Sequence, residues 1–374
     1  MTNANARSAA NSLRAQLSES NPPDLAQEFI SQLDAYYAHP SSSFYIGKLE
    51  RRFYKQKVRH LAWKPYPEDG LVTFGASGTD MCDRQIFFKN SETKPEKSAD
   101  EPFRGRQRRQ GTAIIDFVQL DLIHMPARLG EKAEFTIAED WSAYQDDDGE
   151  EYRVKEWVFE DAAQQRKVFE RNGVQFAITA KPDGILDYKG QKLIFEYKTK
   201  ATGLVAMNGK LDFKGADSSH LRQVTAESLI FGVNEGIILY ESTEKPAWFS
   251  DEENKSVPKT RKTWADGSPK PDLRAFHFKI TEKMQEDLLN DLAEQARLVY
   301  EETLPKMTIE MTGKCAFCAF KGHCKSQLTA EEKTMLIEAE RRYATSNLAG
   351  KYDHKNLREY LSGMGTEKGE AEDE

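Results

Sequence analysis

The sequence lacks any long apolar run, and it contains few cysteines. No stretch of the 374 residues approaches the ~18 apolar residues that a membrane-spanning helix requires. The N-terminus also lacks the apolar core of a secretory signal. Its Arg7 and Arg14, with no acid before residue 19, leave a mitochondrial transit segment as one interpretation of a polar end. We therefore expect no membrane partner, and a chain of this length can bury a full core without disulfides.

An excess of positive charge is also missing, because the formal net charge is −8. Half of that total comes from residues 367–374, which hold five acids and one lysine and which we expect to be solvated. Positive charge is concentrated in an arginine cluster and in the middle of the chain: Arg104, Arg106, Arg108 and Arg109, then Lys181, Lys198, Lys200, Lys210 and Lys214. Each set is either a solvated face or a patch of positive potential, which can coexist with a negative total.

The hydrophobic periodicity predicts an alternation of helices and strands. Helices are expected over 24–37, 44–61, 221–231, 284–303 and 330–344, from Ser77 as an N-cap through Cys82, and from Gly111 to His124. Strands are expected over 134–138, 154–159, 174–187, 192–200 and 236–240, with an acidic hairpin loop over 146–151 and loops over 203–219 and 244–273. This order predicts an α/β fold.

Two charged residues share one face of the predicted strand 192–200. Side chains alternate along a strand, so Glu196 and Lys198 point the same way from an apolar segment. If Lys189 and Gly190 form a two-residue hairpin turn, Asp183 on the preceding strand lies directly opposite Glu196. Like charges so placed destabilise a sheet, and a divalent cation with hard oxygen ligands, magnesium or manganese, would reverse that effect.

A simpler interpretation is an ion pair between Glu196 and Lys198 beside an ordinary turn aspartate. The combination is more specific, because Pro182-Asp183 and Glu196-Tyr197-Lys198 are separated by twelve residues. With this spacing the chain resembles the PD-(D/E)XK nuclease superfamily. The resemblance implies a restriction-endonuclease-like α/β core, in which helices flank a mixed central sheet. The resemblance implies that Asp183, Glu196 and the main-chain carbonyl of Tyr197 hold a magnesium or manganese ion. Lys198 would orient or activate the attacking water.

Within the superfamily, the RecB-like branch has a glutamine on the helix after the catalytic strand, and Gln223 fits that position as a further catalytic residue. The branch often has a tyrosine four residues later, where this chain has Glu227. It also has a histidine four residues after a glycine on the helix before the sheet. Here Ile115 takes that place after Gly111, so Asp116 becomes the candidate for a further metal ligand.

The four cysteines form a second candidate site. Cys315, Cys318 and Cys324 are spaced Cys-x2-Cys-x5-Cys, and Cys82 lies far upstream. Four thiolates complete a tetrahedral zinc site or an iron–sulfur cluster, and His323 offers zinc a Cys3His set. One early and three late cysteines resemble the iron–sulfur nucleases, such as the AddB nuclease domain and the CRISPR adaptation nucleases. That resemblance implies a structural 4Fe–4S cluster that staples the fold.

These patterns predict three parts: an N-terminal helical extension with a disordered start (1–75), a nuclease domain with its cluster (76–329), and a C-terminal helix with an acidic disordered tail (330–374). The resemblance implies a DNA exonuclease that acts on ends or single strands in recombination, repair or phage DNA metabolism. It also implies a recombination or replication protein as partner and a cytoplasmic location in a bacterial or phage-infected cell. The alternatives are a non-catalytic DNA-binding protein on the same fold, a zinc-binding interaction module, and a site-specific endonuclease.

Overall fold

The computed structural model describes residues 24–41, 44–61, 69–91, 93–96, 102–145, 148–247, 251–253, 261–307, 315, 318–344, 355 and 357–362. The predicted disordered start and acidic tail lie outside these residues. Two compact units are present: Met1–Asp80 with Glu101–Leu292, and Met81–Asp100 with Ala293–Glu374. The domain boundaries expected at residues 76 and 330 stay predictions.

The described residues form helices in both units and strands in the first unit. The helices are α1 (Leu25–Tyr37), α2 (Gly47–Leu61), α3 (Asp83–Asn90), α4 (Pro102–Leu129), α5 (Leu204–Lys214), α6 (Ser218–Phe231), α7 (Glu282–Tyr300), α8 (Lys321–Ser326) and α9 (Ala330–Ala344). The strands are β1 (Thr73–Gly75), β2 (Phe135–Ile137), β3 (Glu139–Gln145), β4 (Glu151–Trp157), β5 (Gln165–Arg171), β6 (Val174–Ala180), β7 (Gly184–Tyr188), β8 (Gln191–Lys200), β9 (Glu235–Ser242) and β10 (Leu273–Lys279).

A five-stranded mixed sheet organises the first unit, so the expected mixed α/β architecture is confirmed. Its order is β10-β9-β8-β7-β2, in which β8 and β9 are parallel and the other pairs antiparallel. Alternate side chains of β8 enter two different cores, as expected for a central strand covered on both faces. Phe195 and Tyr197 pack with Phe29 of α1, while Ile194 packs on the other face with Leu221 of α6. Among described residues, no helix is both long and apolar enough to span a membrane.

The predicted hairpin between residues 174 and 200 is correct in the register of its turn and wrong in the extent of its first strand. A single strand over 174–187 was wrong, because β6 ends at Ala180 and belongs to a second sheet of order β1-β6-β5. Pro182 lacks an amide hydrogen and therefore cannot continue a strand ladder. The register of the following turn is confirmed: Tyr188 pairs with Gln191 and Gly184 with Phe195.

Two further expectations were wrong. The helix that follows Ser77 begins only at Asp83, with Cys82 as its N-cap, because a short 3-10 turn intervenes at Ala76–Gly78. The segment 203–219, expected as a loop, contains helix α5 between Gly203 and Gly215. Strand β10 was not predicted and begins at Leu273, where the expected irregular segment ends. The antiparallel hairpin around the acidic run is formed by β3 and β4, of which β3 was not predicted, and the expected strand 134–138 is β2, which pairs with β7 instead.

Glycine at position 236 lets β9 lie directly against β8. A Cβ atom there would come within 2.2 Å of the Ile194 carbonyl oxygen and 2.5 Å of the Phe278 ring. We expect Gly236→Ala to lower the free energy of unfolding by ~1–3 kcal/mol through overpacking. Gly209→Ala in α5 is the matched control, because open space surrounds Gly209 and helical alanine is favoured by ~0.5–1 kcal/mol. Urea titration of both variants measures their free energies of unfolding. Equal values for the two variants would contradict the prediction.

Candidate active site

The residues before β7 place an aspartate beside the central strand. Asp183 directly precedes β7, and its carboxylate Oδ2 accepts a hydrogen bond of 2.7 Å from the backbone amide of Tyr197 on β8. The Asp183 carbonyl accepts a 2.9 Å bond from Nε2 of Gln119 on α4. These two contacts anchor the break between β6 and β7. Continuing the observed register by one residue places Asp183 opposite Glu196, as the sequence predicted.

Glu196 and Lys198 share the face of β8 that α6 covers. Glu196 is 1% exposed, and its Oε1 forms an ion pair with the Lys198 ammonium. This contact is the ion pair that the simpler interpretation expected. It leaves Glu196 Oε2 buried with no hydrogen-bond partner among the described residues.

Helix α6 continues the polar network with two side chains one turn apart. Gln223 Oε1 accepts a 3.2 Å hydrogen bond from Lys198 Nζ, and Gln223 Nε2 donates a 3.0 Å bond to Glu227 Oε1. Glu227 is fully buried, and its Oε2, like that of Glu196, has no partner within the described part of the chain. The network therefore runs from Glu227 through Gln223 and Lys198 to Glu196.

The site contains three carboxyl groups and one ammonium, and burial acts on the pKa of each. Burial, and then the Glu196 carboxylate, hold the pKa of Asp183 well above its ordinary value. The same two causes hold the pKa of Glu227 well above its ordinary value. Burial also raises the pKa of Glu196, against the opposing effect of Lys198. Burial lowers the pKa of Lys198, but the Glu196 carboxylate, together with Asp183 and Glu227, offsets this and the net shift is upward.

Sequence reasoning selected four members of this cluster and missed two. The structure brings Asp183, Glu196, Lys198 and Gln223 together, with Tyr197 contributing its amide. Glu227 was noted only as a departure from a tyrosine, although its four-residue spacing from Gln223 places both on one helix face. Gln119 carries no local signal, since its contact with Asp183 arises only from the packing of α4.

The candidate ligand Asp116 and the nearby His124, both on α4, have other partners. The Asp116 carboxylate forms an ion pair with Lys57 of α2, so its role as a further ligand stays a prediction. His124 is buried, donates to the Leu120 carbonyl through Nδ1 at 2.7 Å, and accepts from the Ile46 amide through Nε2 at 2.9 Å. Both ring nitrogens are therefore occupied by the backbone.

The four cysteines lie in the second unit and line one small cavity. Three sulfurs accept N–H groups: Cys82 from the Gln85 amide at 3.4 Å, Cys318 from the Phe320 amide at 3.4 Å, and Cys324 from Arg84 Nη1 at 3.7 Å. Burial raises the pKa of Cys82 to about 11 and that of Cys315 to about 12, and neighbouring cysteines add to both shifts. Thiolates here would therefore repel one another as the carboxylates do.

At both sites the donor atoms are of a kind that binds metals, but their spacing is not that of a metal site. Among the residues that the structure describes, no group of three or more histidine, cysteine, aspartate or glutamate side chains is arranged to hold a metal ion. Buried carboxylates are nevertheless the hard oxygen donors that magnesium and manganese prefer, and thiols are the donors of zinc and iron–sulfur sites. The residues fit such groups by chemistry, while their spacing in this structure is not that of a coordination sphere.

Comparison with known proteins gives little further information. The sequence matches no protein-family profile and no curated protein. Among solved structures, one described as SSO0001 is similar at 13% identity and TM-score 0.36, over 75% of this chain and 97% of that one. An alkaline exonuclease from Laribacter hongkongensis is similar at 8% identity and TM-score 0.33, over 62% of this chain and 90% of that one. Neither likeness decides what this chain does.

We expect the buried carboxyl of Glu227 to lower the free energy of unfolding of the metal-free protein as pH rises. Because its folded pKa is raised above the ordinary 4.5, the stability it contributes is fully present below pH 4.5 and is lost as pH rises through the folded pKa. We expect Glu227→Gln to match the native chain in stability at pH 4 and to exceed it by ~1–3 kcal/mol at pH 8 in EDTA. Chemical unfolding at both pH values measures this.

An exposed glutamate serves as the control for that comparison. Glu286→Gln changes the same chemical group on α7, where the side chain is 63% exposed. Its stability difference from the native chain is expected to be the same at pH 4 and pH 8. A Glu227→Gln difference that is equally flat would show that the carboxyl is not under electrostatic stress.

Proposed function

We propose that this chain is a divalent-metal-dependent deoxyribonuclease of the PD-(D/E)XK type that acts on DNA ends or single strands. The observation that carries the proposal is the position of Asp183 and Glu196 across the β7–β8 turn, with Lys198 on the same face of β8. A buried pair of like charges costs stability unless a cation or a proton offsets it. The RecB-like branch, a role in recombination, repair or phage DNA metabolism, and a replication or recombination partner are part of the same proposal.

The orphaned carboxylate oxygens support a cation near the pair. Glu196 Oε2 and Glu227 Oε2 are buried without hydrogen-bond partners in the described residues, whereas buried polar atoms in proteins are normally satisfied. Asp183 and Glu196 would hold the metal, with the Tyr197 carbonyl as a further oxygen ligand. When bound, the ion would lower the pKa of a coordinated water and neutralise charge on the phosphoryl oxygens.

The chain's own residues would divide the remaining work. Lys198 is positioned by Glu196 and Gln223, so its ammonium can orient the attacking water and stabilise charge on the phosphate. Gln223 holds that ammonium through its Oε1, and Glu227 fixes which end of the Gln223 amide faces Lys198. The burial of the site excludes bulk water, which strengthens each of these electrostatic contacts.

We further propose that Cys82, Cys315, Cys318 and Cys324 bind a 4Fe–4S cluster with a structural role. Four thiols around one cavity, three of them with N–H donors on sulfur, support a cluster, since such hydrogen bonds are a feature of iron–sulfur sites. The buried Arg84 guanidinium beside Cys324 would also favour thiolate charge. Zinc on the same cysteines, or on three of them with His323, is the alternative.

Metal analysis separates these cofactors. We expect anaerobically purified protein to contain iron and acid-labile sulfide in equal amounts, and Cys318→Ser to lose most of both. His323→Ala is the control and should keep the native iron content, because its ring is not among the four cluster ligands. Zinc without sulfide would support the zinc alternative, and the absence of any bound metal from fresh protein would overturn the cofactor proposal.

Digestion of end-labelled linear DNA and closed circular DNA, with and without manganese, tests the enzymatic proposal. We expect manganese-dependent loss of the linear substrate only, and a drop of at least ~100-fold in rate for Lys198→Ala. Lys192→Ala is the matched control, because Lys192 lies on the same strand but pairs with Asp187 at the surface. No cleavage by the native chain would favour a non-catalytic DNA-binding protein, and cleavage of circular DNA would favour an endonuclease.

A further inference from the structure

The first nine residues of α4 form a helix with no buried face. Every side chain described between Pro102 and Gln110 is exposed, whereas Ile115 and Val118 further along the helix are buried in the core. A helix that is polar all round is not held by packing, so its sequence is free to serve another purpose. We call residues 102–110 the basic segment.

The basic segment concentrates charge of one sign. It carries four arginines, and no acid occurs between Pro102 and Ile115, although the whole chain has a net charge of −8. Within the part of the chain that the structure describes, no acidic side chain pairs with Arg106 or Arg109. By contrast, Lys200 and Lys210 in the middle of the chain both pair with Asp217 and offer little free charge.

An aromatic ring lies in the same stripe as these arginines. Phe103 is 53% exposed, and it lines one shallow depression together with Arg106, Gln107, Arg109 and Gln110. The spacing from Phe103 to Arg106 is three residues, which places the two side chains on one side of the helix. A ring beside guanidinium groups suits a base stacked next to its phosphates, a combination typical of single-strand binding.

The position of the helix connects this surface to the candidate active site. At Gly111, a Cβ would lie 3.4 Å from Oγ1 of Thr199, the residue that follows Lys198 on β8. Thr199 points to the face of β8 opposite Lys198, so Gly111 and the lysine lie on different faces of the strand. The basic segment directly precedes Gly111 and therefore begins near the carboxyl end of β8, around which a DNA strand can reach Lys198. Nine helical residues span ~13 Å, which is long enough to contact more than one phosphate of a strand.

We propose that the basic segment binds the backbone of single-stranded DNA and guides the strand toward Lys198. The inference rests on the proposed nuclease function for its direction, but the binding itself can be measured without cleavage. Arg106 and Arg109 contact phosphates, and Phe103 stacks on a base. Such contacts are independent of base sequence, as an enzyme that processes DNA ends requires.

Anisotropy titrations of a labelled single-stranded oligonucleotide test this, with the full chain carrying Lys198→Ala and no divalent metal present. We expect Arg106→Ala with Arg109→Ala to weaken binding ~10- to 100-fold. The slope of log K against log salt should fall by ~1.4, or about 0.7 for each lost phosphate contact. Phe103→Ala should weaken single-strand binding about tenfold and leave that slope unchanged.

Two control variants test whether the effect depends on the positive charge of the basic segment itself. Arg106→Lys with Arg109→Lys keeps the charge and should keep the salt slope. Lys132→Ala removes an exposed cation ~30 Å away, just beyond the other end of α4, and should alter neither quantity. Unchanged affinity and slope in the double alanine variant would overturn the proposal, and the surface would then be assigned to an acidic protein partner instead.

Cleavage assays separate this inference from the proposed function. With Lys198 restored, the double alanine variant should cleave a small phosphodiester, bis(p-nitrophenyl) phosphate, at the native rate while degrading DNA more slowly. Equal loss on both substrates would place the defect in the active site and overturn the guiding role. If the native chain binds DNA through the basic segment but cleaves neither substrate, the proposed function fails and the binding surface stands.

Discussion

The closeness of Asp183 and Glu196 is the constraint on which the rest of the site depends. The two-residue turn at Lys189 and Gly190 fixes the register of β7 and β8, and both turn residues have positive φ, as this turn requires. Because a slip of one residue would turn every side chain to the opposite face, the apolar cores on both sides of β8 hold the carboxylates where they are. The repulsion cannot be relieved by movement, so it must be offset by a proton, by Lys198 or by a cation.

Lys198 alone does not balance the cluster. Glu196 and Glu227 are buried, Asp183 is partly buried, and the Lys198 ammonium with the Gln223 amide faces them. Buried like charges break a local rule of sheet structure, and such conflicts concentrate where a protein has a function to perform. The four clustered thiols, of which Cys324 is buried and the others are partly buried, resemble the carboxyl groups in this respect. Their deprotonated forms repel one another, and N–H donors and Arg84 bring partial or full positive charge close to them. Two clusters of groups that ionise to anions are difficult to explain by packing alone.

Much of this arrangement could be predicted from the sequence, because it depends on short-range geometry. The alternation in Ile194, Glu196 and Lys198 and the turn at Gly190 determine which side chains share a face. The four-residue spacing of Gln223 and Glu227 likewise places them on one helix face, within hydrogen-bond distance of each other. The contact of Gln119 with Asp183 could not be predicted, since it requires α4 to pack on the sheet across 64 residues. Asp116 failed to join the cluster in this structure for a similar reason: Lys57, far away in sequence, is its partner.

The strand predicted over 174–187 was wrong in a way that explains the site. Apolar alternation continues on both sides of Pro182, so the pattern alone could not show that β6 and β7 belong to different sheets. The missing amide hydrogen of Pro182 prevents the ladder from continuing, while its carbonyl still accepts a hydrogen bond of 2.8 Å from Glu160. The backbone of Asp183 is then available to Gln119, and its side chain reaches back to the Tyr197 amide instead of standing in a regular strand. A proline before the aspartate therefore has a physical purpose: it ends one strand at the residue where the next must present a carboxylate to its neighbour.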